Sequence, residues 1–295
     1  MKRLLVFLII TALFTACEST AKKMSTEWKA DLSPEMVWVE AATFEMGSGA
    51  RPVEPVHTTI LTSGFFIGKY EVTQELYTAV MGSNPSLFQG PDYLPKKGEI
   101  QAKRPVEQVS WYDILVFCNK LSLLEGLRPA YSIGNSTNPN DWGNVPAASN
   151  STKWDEVVIV PGSTGYRLPT EAQWEWAAKG GNKSKGYDYS GSYNEYDVAW
   201  AGVPADLKTH EVGKKLPNEL GLYDMSGNVY ELCWDRYGSY LNETQTDPLG
   251  AVSGNFRVIR SGSYRGGYYA RFVTNRDAHS PYARYYDMGF RLVRP

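Results

Sequence analysis

Cysteine and histidine are scarce. The 295 residues hold 3 of each: Cys17, Cys118 and Cys233, and the scattered His57, His210 and His279. No CxxC and no Cys/His spacing suits zinc. Cys118 and Cys233 could pair in an oxidising compartment, and the sequence leaves that open. Cys118 lies in an apolar helical stretch and reads as a buried thiol. An excess of one charge is also missing. Lys+Arg number 30 against Asp+Glu 32, a net charge of -2, so nothing argues for nucleic acid as a partner. There is no internal repeat, and helix signals almost vanish after Tyr187. What is abundant is aromatic surface: 20 Tyr, 10 Phe and 9 Trp. The length allows one large or two medium domains with ample material for a core.

The first residues have their own logic. Lys2 and Arg3 precede an apolar run of 13, Leu4 to Ala16, too short to span a bilayer comfortably. Thr15-Ala16-Cys17 resembles a bacterial lipoprotein processing site, which implies a signal peptide over 1–16 and acylation of Cys17. A plain secretory signal with an incidental cysteine is the alternative. Glu18 to about Ser33 is polar and reads as a flexible tether over 17–33. The expected location is the cell envelope, lipid-anchored at the outer membrane and facing outward, with the acyl chains on Cys17 as the membrane contact.

From Pro34 the pattern changes to that of one loop-rich α+β domain over 34–295. Met36 to Val39 and Thr43 to Met46 alternate like two strands. Thr73-Gln74 opens a helix to about Met81, closed by Gly82. Ser110 caps a helix over Trp111–Leu124, with Asp113 at its third position and Gly126 as the stop. Pro129 to Thr152 reads as a long loop. Thr170 and Gln173 form a capping box for a helix through Lys179. Val258 to Ser261 and Gly289 to Val293 read as strands bracketing an irregular segment. Trp174, Trp176 and Trp234 are expected to pack internally, and Arg291 to close a salt bridge.

Several phrases occur together: MVWVEAATFEMGS (36–48), RPVEQVSWYD (104–113), FCNKLS (117–122), YRLPTEAQWEWAAKGG (166–181), NELGLYDMSGNVYEL (218–232), RVIRSGS (257–263) and GFRLVR (289–294). In this order they resemble the formylglycine-generating enzyme, or sulfatase-modifying factor, family. The resemblance implies a decorated C-type-lectin-like fold of short twisted strands, two main helices and long loops. It also associates the phrase containing Asn228 and Glu231 with a structural calcium. One amide and one carboxylate are a thin donor set for an ion that prefers six to eight oxygens. The other reading has Asn228 bonding backbone in a turn and Glu231 paired with an arginine. No cofactor is otherwise required. The family's oxidases carry two cysteines shortly after the strand at 257–260. Here Arg260 to Arg276 reads RSGSYRGGYYARFVTNR and has none. Without thiolates that stretch has no nucleophile and no soft ligand for copper(I), so oxidase activity is not expected.

The stretch 264–287, YRGGYYARFVTNRDAHSPYARYYD, follows neither a helical nor a strand period. Six tyrosines, Tyr264, Tyr268, Tyr269, Tyr282, Tyr285 and Tyr286, fall in it, with arginines and small residues between. That is the composition of an antibody-like contact surface. It lacks Lys, Glu, Gln, Trp and Met, the residues an Asn codon cannot reach when only its adenines are replaced. In this it resembles the variable proteins of diversity-generating retroelements, whose C-terminal region, here about 257–295, is rewritten. The resemblance marks Arg265, Gly266, Gly267, Tyr269, Ala270, Asp277, Ala278, His279, Ser280, Tyr282, Ala283, Tyr285, Tyr286 and Asp287 as diversified ligand contacts. Arg276, Pro281, Arg284 and Met288 would be fixed scaffold. The expected partner is a protein or glycan ligand. Competing readings are a superfamily enzyme with altered chemistry and a structural lipoprotein.

Overall fold

The computed structural model describes residues 33–48, 54–202 and 205–295. The leader, Cys17 and the tether lie outside the described residues. Residues Pro34–Pro295 form one compact unit.

Among the described residues, twelve short strands make four small sheets. The first joins β1 (Met36–Val39), β4 (Phe65–Gly68) and β12 (Val293–Arg294), so the two ends of the unit share one sheet. The second joins β2 (Ala42–Met46), β3 (His57–Leu61) and β8 (Gln245–Thr246). The third runs β10 (Asp277–His279), β9 (Arg257–Arg260), β7 (Tyr230–Arg236) and β11 (Met288–Gly289). The fourth pairs β5 (Tyr131–Ser132) with β6 (Val158–Ile159), so the stretch expected to be loop over 129–152 carries a strand. The expected 289–293 strand divides into β11 and β12. Between them Arg291 turns inward to an ion pair instead of following a ladder.

Three longer helices among the described residues pack on these sheets: α1 (Gln74–Met81), α2 (Trp111–Leu124) and α3 (Glu171–Ala178). Each begins at the cap its sequence encodes. Thr73 Oγ1 accepts from Leu76 N, and Gly82 ends α1 in the left-handed region at φ 82°. Ser110 with Asp113, and Thr170 with Gln173, close complete capping boxes on α2 and α3. Helix α2 is almost wholly buried, and its Trp111, Phe117 and Leu121 meet Trp234 and Phe290 in the larger core cluster. Helix α3 brings Trp174 and Ala177 to a second cluster with Val258 and Val293. Trp176, half-buried at its edge, donates from its indole to Glu40 O at 3.1 Å. Cys118 and Cys233 are free and fully buried, one in each cluster.

Strand β7 also holds a buried acid. Asp235 accepts the Glu171 amide at 2.8 Å, and burial pushes its pKa up to about 7, with the Glu171 carboxylate adding to the rise. A carboxyl whose pKa is raised by folding binds its proton more tightly folded than unfolded. Its contribution to stability is therefore present in acid and lost as pH rises from about 4 to about 7. Asp235→Asn keeps the acceptor without the charge. The substitution is expected to be more favourable to stability at about pH 8 than at about pH 5 by urea denaturation; equal effects at both would refute this.

Candidate functional surface

The segment after β9 is built from alternating anchors and exposed stretches. Ser261, Gly262, Ser263 and Tyr264 are buried. Tyr264 N donates to Asn228 O and Tyr264 O accepts from Gly202 N, both at 2.9 Å. The 265–270 stretch then emerges and ends at Arg271, which is buried and gives two bonds to Glu195 Oε2, at 3.0 and 2.6 Å. Val273 N binds Asp188 O at 2.9 Å, and buried Arg276 forks onto Glu171 with two bonds of 2.7 Å. Strand β10 follows, antiparallel to β9, and pairs Asp277 with Ile259 and His279 with Arg257. Pro281 is buried, and Arg284 forks onto Asp113 at 2.7 and 3.0 Å. Met288 closes the segment in the core.

The three carboxylates that receive these arginines share one position type. Asp113 is the capping-box acid of α2, Glu171 is the first residue of α3, and Glu195 is the first residue of the single helical turn Glu195–Val198. A carboxylate there faces the positive end of its helix and in turn holds an arginine in a fixed fork. Main-chain bonds complete the frame. Gln108 N donates to Tyr285 O at 2.9 Å, Tyr230 N to Asp287 O at 2.8 Å, and Tyr112 N to Pro281 O at 3.4 Å. These bonds are indifferent to which side chains Tyr285 and Asp287 carry.

Between the anchors, none of the fourteen positions marked as diversified is buried. Arg265, Gly267, Tyr269, Asp277 and Tyr285 are exposed, Tyr269 most among the described tyrosines at 71%. Gly266, Ala270, Ala278, His279, Ser280, Tyr282, Ala283, Tyr286 and Asp287 are half-buried. The structure brings Arg265, Asp277, Ala278, His279, Tyr285, Tyr286 and Asp287 together around a cleft of about 330 Å3, floored by Tyr230, Ile259 and Met288. Gly266, Gly267, Tyr269 and Ala270 lie apart from this cleft on the 265–270 loop, and Tyr282 packs toward the larger core cluster.

Tyr264, one of the six tyrosines of the stretch but not one of the fourteen positions, lies inside the frame. It is 0% exposed and packs edge-on to Phe88, ring centroids 5.4 Å apart, because both its backbone groups are tied inward. The side chain of Tyr268 lies outside the described ones. Arg271, which the sequence reading left unassigned, is an anchor equal to Arg276; nothing in the local sequence distinguishes it from exposed Arg265.

Asn228 and Glu231 do not fit a calcium ion. Glu231 takes Arg291 Nε and Nη2 at 2.6 Å each and the Trp174 indole at 2.7 Å. Asn228 Oδ1 accepts His210 N at 2.9 Å, and its amide donates to Glu71 at 2.6 Å. Both residues are spent as internal partners, which is the turn-and-ion-pair reading. The tight turn before them needs Gly227, at φ 92°, where a Cβ would meet Trp200 O at 2.6 Å. Among the described residues no group of three or more His, Cys, Asp or Glu is placed to hold a metal. Cys233 lies fully buried, where burial and then the Asp235 carboxylate hold its thiol well above the usual range, in the unreactive protonated form.

The geometry is that of a loop-rich α+β frame carrying a tyrosine- and arginine-bearing surface held between arginine–carboxylate pairs. Residues 20–295 match the sulfatase-modifying factor enzyme 1-like domain, and the chain belongs to that family. It is similar in structure to Treponema denticola variable protein 1, with TM-score 0.80 and 42% identity, covering 88% of this chain and 95% of that one. It is 39% identical over 254 residues to the chaperone protein LppX of Paenibacillus barcinonensis, covering 80% of this chain and 81% of that one. The formylglycine-generating enzyme of Streptomyces coelicolor is 33% identical over 160 residues, 48% of this chain and 50% of the enzyme.

Proposed function

We propose that this chain is a non-enzymatic, surface-displayed binding protein, held to the outer membrane of the cell envelope by acyl chains on Cys17. Its fourteen contact positions between 265 and 287 are diversified by a retroelement to vary specificity for a protein or glycan ligand. The observation that carries the reading is the interleaving itself. Every position assigned to variation is exposed or half-buried, and the residues between hold the backbone through buried arginines and main-chain bonds. The similarity to a Treponema denticola variable protein over nearly the whole of both chains supports it. So does the lack of any cysteine in 260–276, since the oxidase chemistry expected of the family's enzymes requires thiolates. Binding would rest on burial of the tyrosine faces, with arginine and carboxylate contacts fixing orientation.

Sequencing the gene from several isolates tests this. The expected result is variation at the fourteen positions, constancy at Arg271, Arg276, Pro281, Arg284 and Met288, and a nearby reverse transcriptase with a second copy of the 3′ end. Identical isolates, or variation at the anchors, would return the structural-lipoprotein reading. Copper-dependent oxidation of a cysteine peptide would restore an enzyme. Joint replacement of Tyr269, Asp277 and Tyr285 by serine is expected to change folding stability by less than about 1 kcal/mol, since none of the three fills the core. Urea denaturation reads this directly.

A further inference from the structure

We infer that the cleft beside β10 receives a cationic side chain, lysine or arginine, from a protein ligand. The inference rests on the binding-surface reading above and narrows it to a partner chemistry.

The cleft has a volume of about 330 Å3, at the small end of ligand sites and suited to one long side chain. Two carboxylates face it, Asp277 and Asp287. Asp277 Oδ1 accepts only the neighbouring Ala278 amide at 2.8 Å, and Asp287 Oδ2 accepts the Ser263 hydroxyl at 3.3 Å. Neither forms an ion pair among the described residues, in contrast to Asp113, Glu171 and Glu195, which are each matched to an arginine. Both carboxylates act on the same two lining groups, the Tyr230 phenol and the His279 imidazole.

The other walls are aromatic. Tyr285 lies against His279, ring centroids 4.3 Å apart, and Tyr286 lines the same opening. Burial holds the His279 pKa below its usual value, so the ring is uncharged at neutral pH and does not offset the carboxylates. The one lining cation, Arg265, is turned onto Tyr286. Its guanidinium lies 5.0 Å from that ring and donates to the phenol oxygen. Two carboxylates outside any ion pair outnumber the single lining cation, Arg265, whose charge reaches Asp287 at longer range, so with its phenol and imidazole faces the opening keeps surplus negative charge. Such a site favours an ammonium or guanidinium through charge-assisted hydrogen bonds and cation–π contact.

The test is selection of phage-displayed random dodecapeptides on the full-length chain. Selection is repeated on a variant with the fourteen contact positions replaced by alanine and serine. Peptides enriched on the natural chain and not on the variant are expected to share a lysine or arginine. Changing that residue to norleucine or citrulline, or introducing Asp277→Asn with Asp287→Asn, is expected to weaken binding at least about tenfold. The composition of the selected peptides is read on the unaltered chain, so it does not depend on how the variants fold. Surface-dependent peptides without a shared cation would overturn this inference and leave the binding surface standing, as would a glycan array in which only neutral sugars bind. Absence of any ligand that depends on the fourteen positions would overturn both.

Discussion

Glu171→Gln is expected to destabilise the fold by about 3–5 kcal/mol, the usual cost of leaving a buried ion pair half-made. Glu171 Oε1 accepts from Tyr240 and Arg260 at 2.9 Å and from Arg276 at 2.7 Å, while Oε2 takes the second Arg276 bond at 2.7 Å. Glutamine preserves the volume but removes the charge and one acceptor. Arg260 keeps Glu175 at 2.7 Å, whereas Arg276 keeps only the Gly238 carbonyl at 2.6 Å. The loss therefore falls on the start of β10, and hydrogen exchange there should rise together with the drop in urea midpoint. A change below about 1 kcal/mol would mean that the carboxylate does not hold the segment.

Arg291→Met should be comparably severe, again about 3–5 kcal/mol, and its effect should depend on pH. Arg291 forks onto Glu231 and also donates to Gly68 O and Tyr223 O at 2.9 Å each. It is the cation that offsets Glu231, Glu71 and Asp224. Burial already raises Glu71 well above the ordinary carboxylate range and pushes Asp224 up to about 6, while Arg291 pulls both down. Removing the arginine raises these folded-state values further. A buried carboxyl whose folded-state pKa rises loses more stability as pH climbs, so the defect is relieved in acid and grows toward pH 8. The destabilisation should thus be smaller at about pH 5 than at about pH 8. Equal loss at both would show that Arg291 acts only through its bonds to Gly68 and Tyr223. Adding Glu231→Gln to Arg291→Met should recover part of the loss.

Much of this architecture can be read from residue order. The caps at Thr73, Ser110 and Thr170 mark their helices because a hydroxyl at an N-cap and an acid or amide three residues later satisfy free amides locally. The β5–β6 pair was not readable in the same way. Tyr131–Ser132 is two residues long, and its partner Val158–Ile159 lies beyond a turn-rich stretch, so no local period reports it. The resemblance to variable proteins marked Arg276, Pro281, Arg284 and Met288 as scaffold, and three of these, Arg276, Pro281 and Met288, are buried, whereas none of the fourteen positions marked as contacts is. Arg271 and Tyr264 were not so marked, because their burial depends on Glu195 and Phe88, far away in sequence. An arginine bound to a distant helix start and one lying open to solvent have the same local neighbours.

The shortness of β10 has a consequence for any chain whose surface residues change freely. It is the outer strand of its sheet, three residues long, entered from buried Arg276 and left at buried Pro281. Outer strands invite other chains to add on, and apolar replacements at Asp277 or His279 would strengthen that invitation. With so little open ladder, and an imino acid without an amide hydrogen soon after it, there is almost no template to extend. On the proposed reading of a diversified surface, its side chains could therefore grow stickier from one version to the next without seeding aggregates.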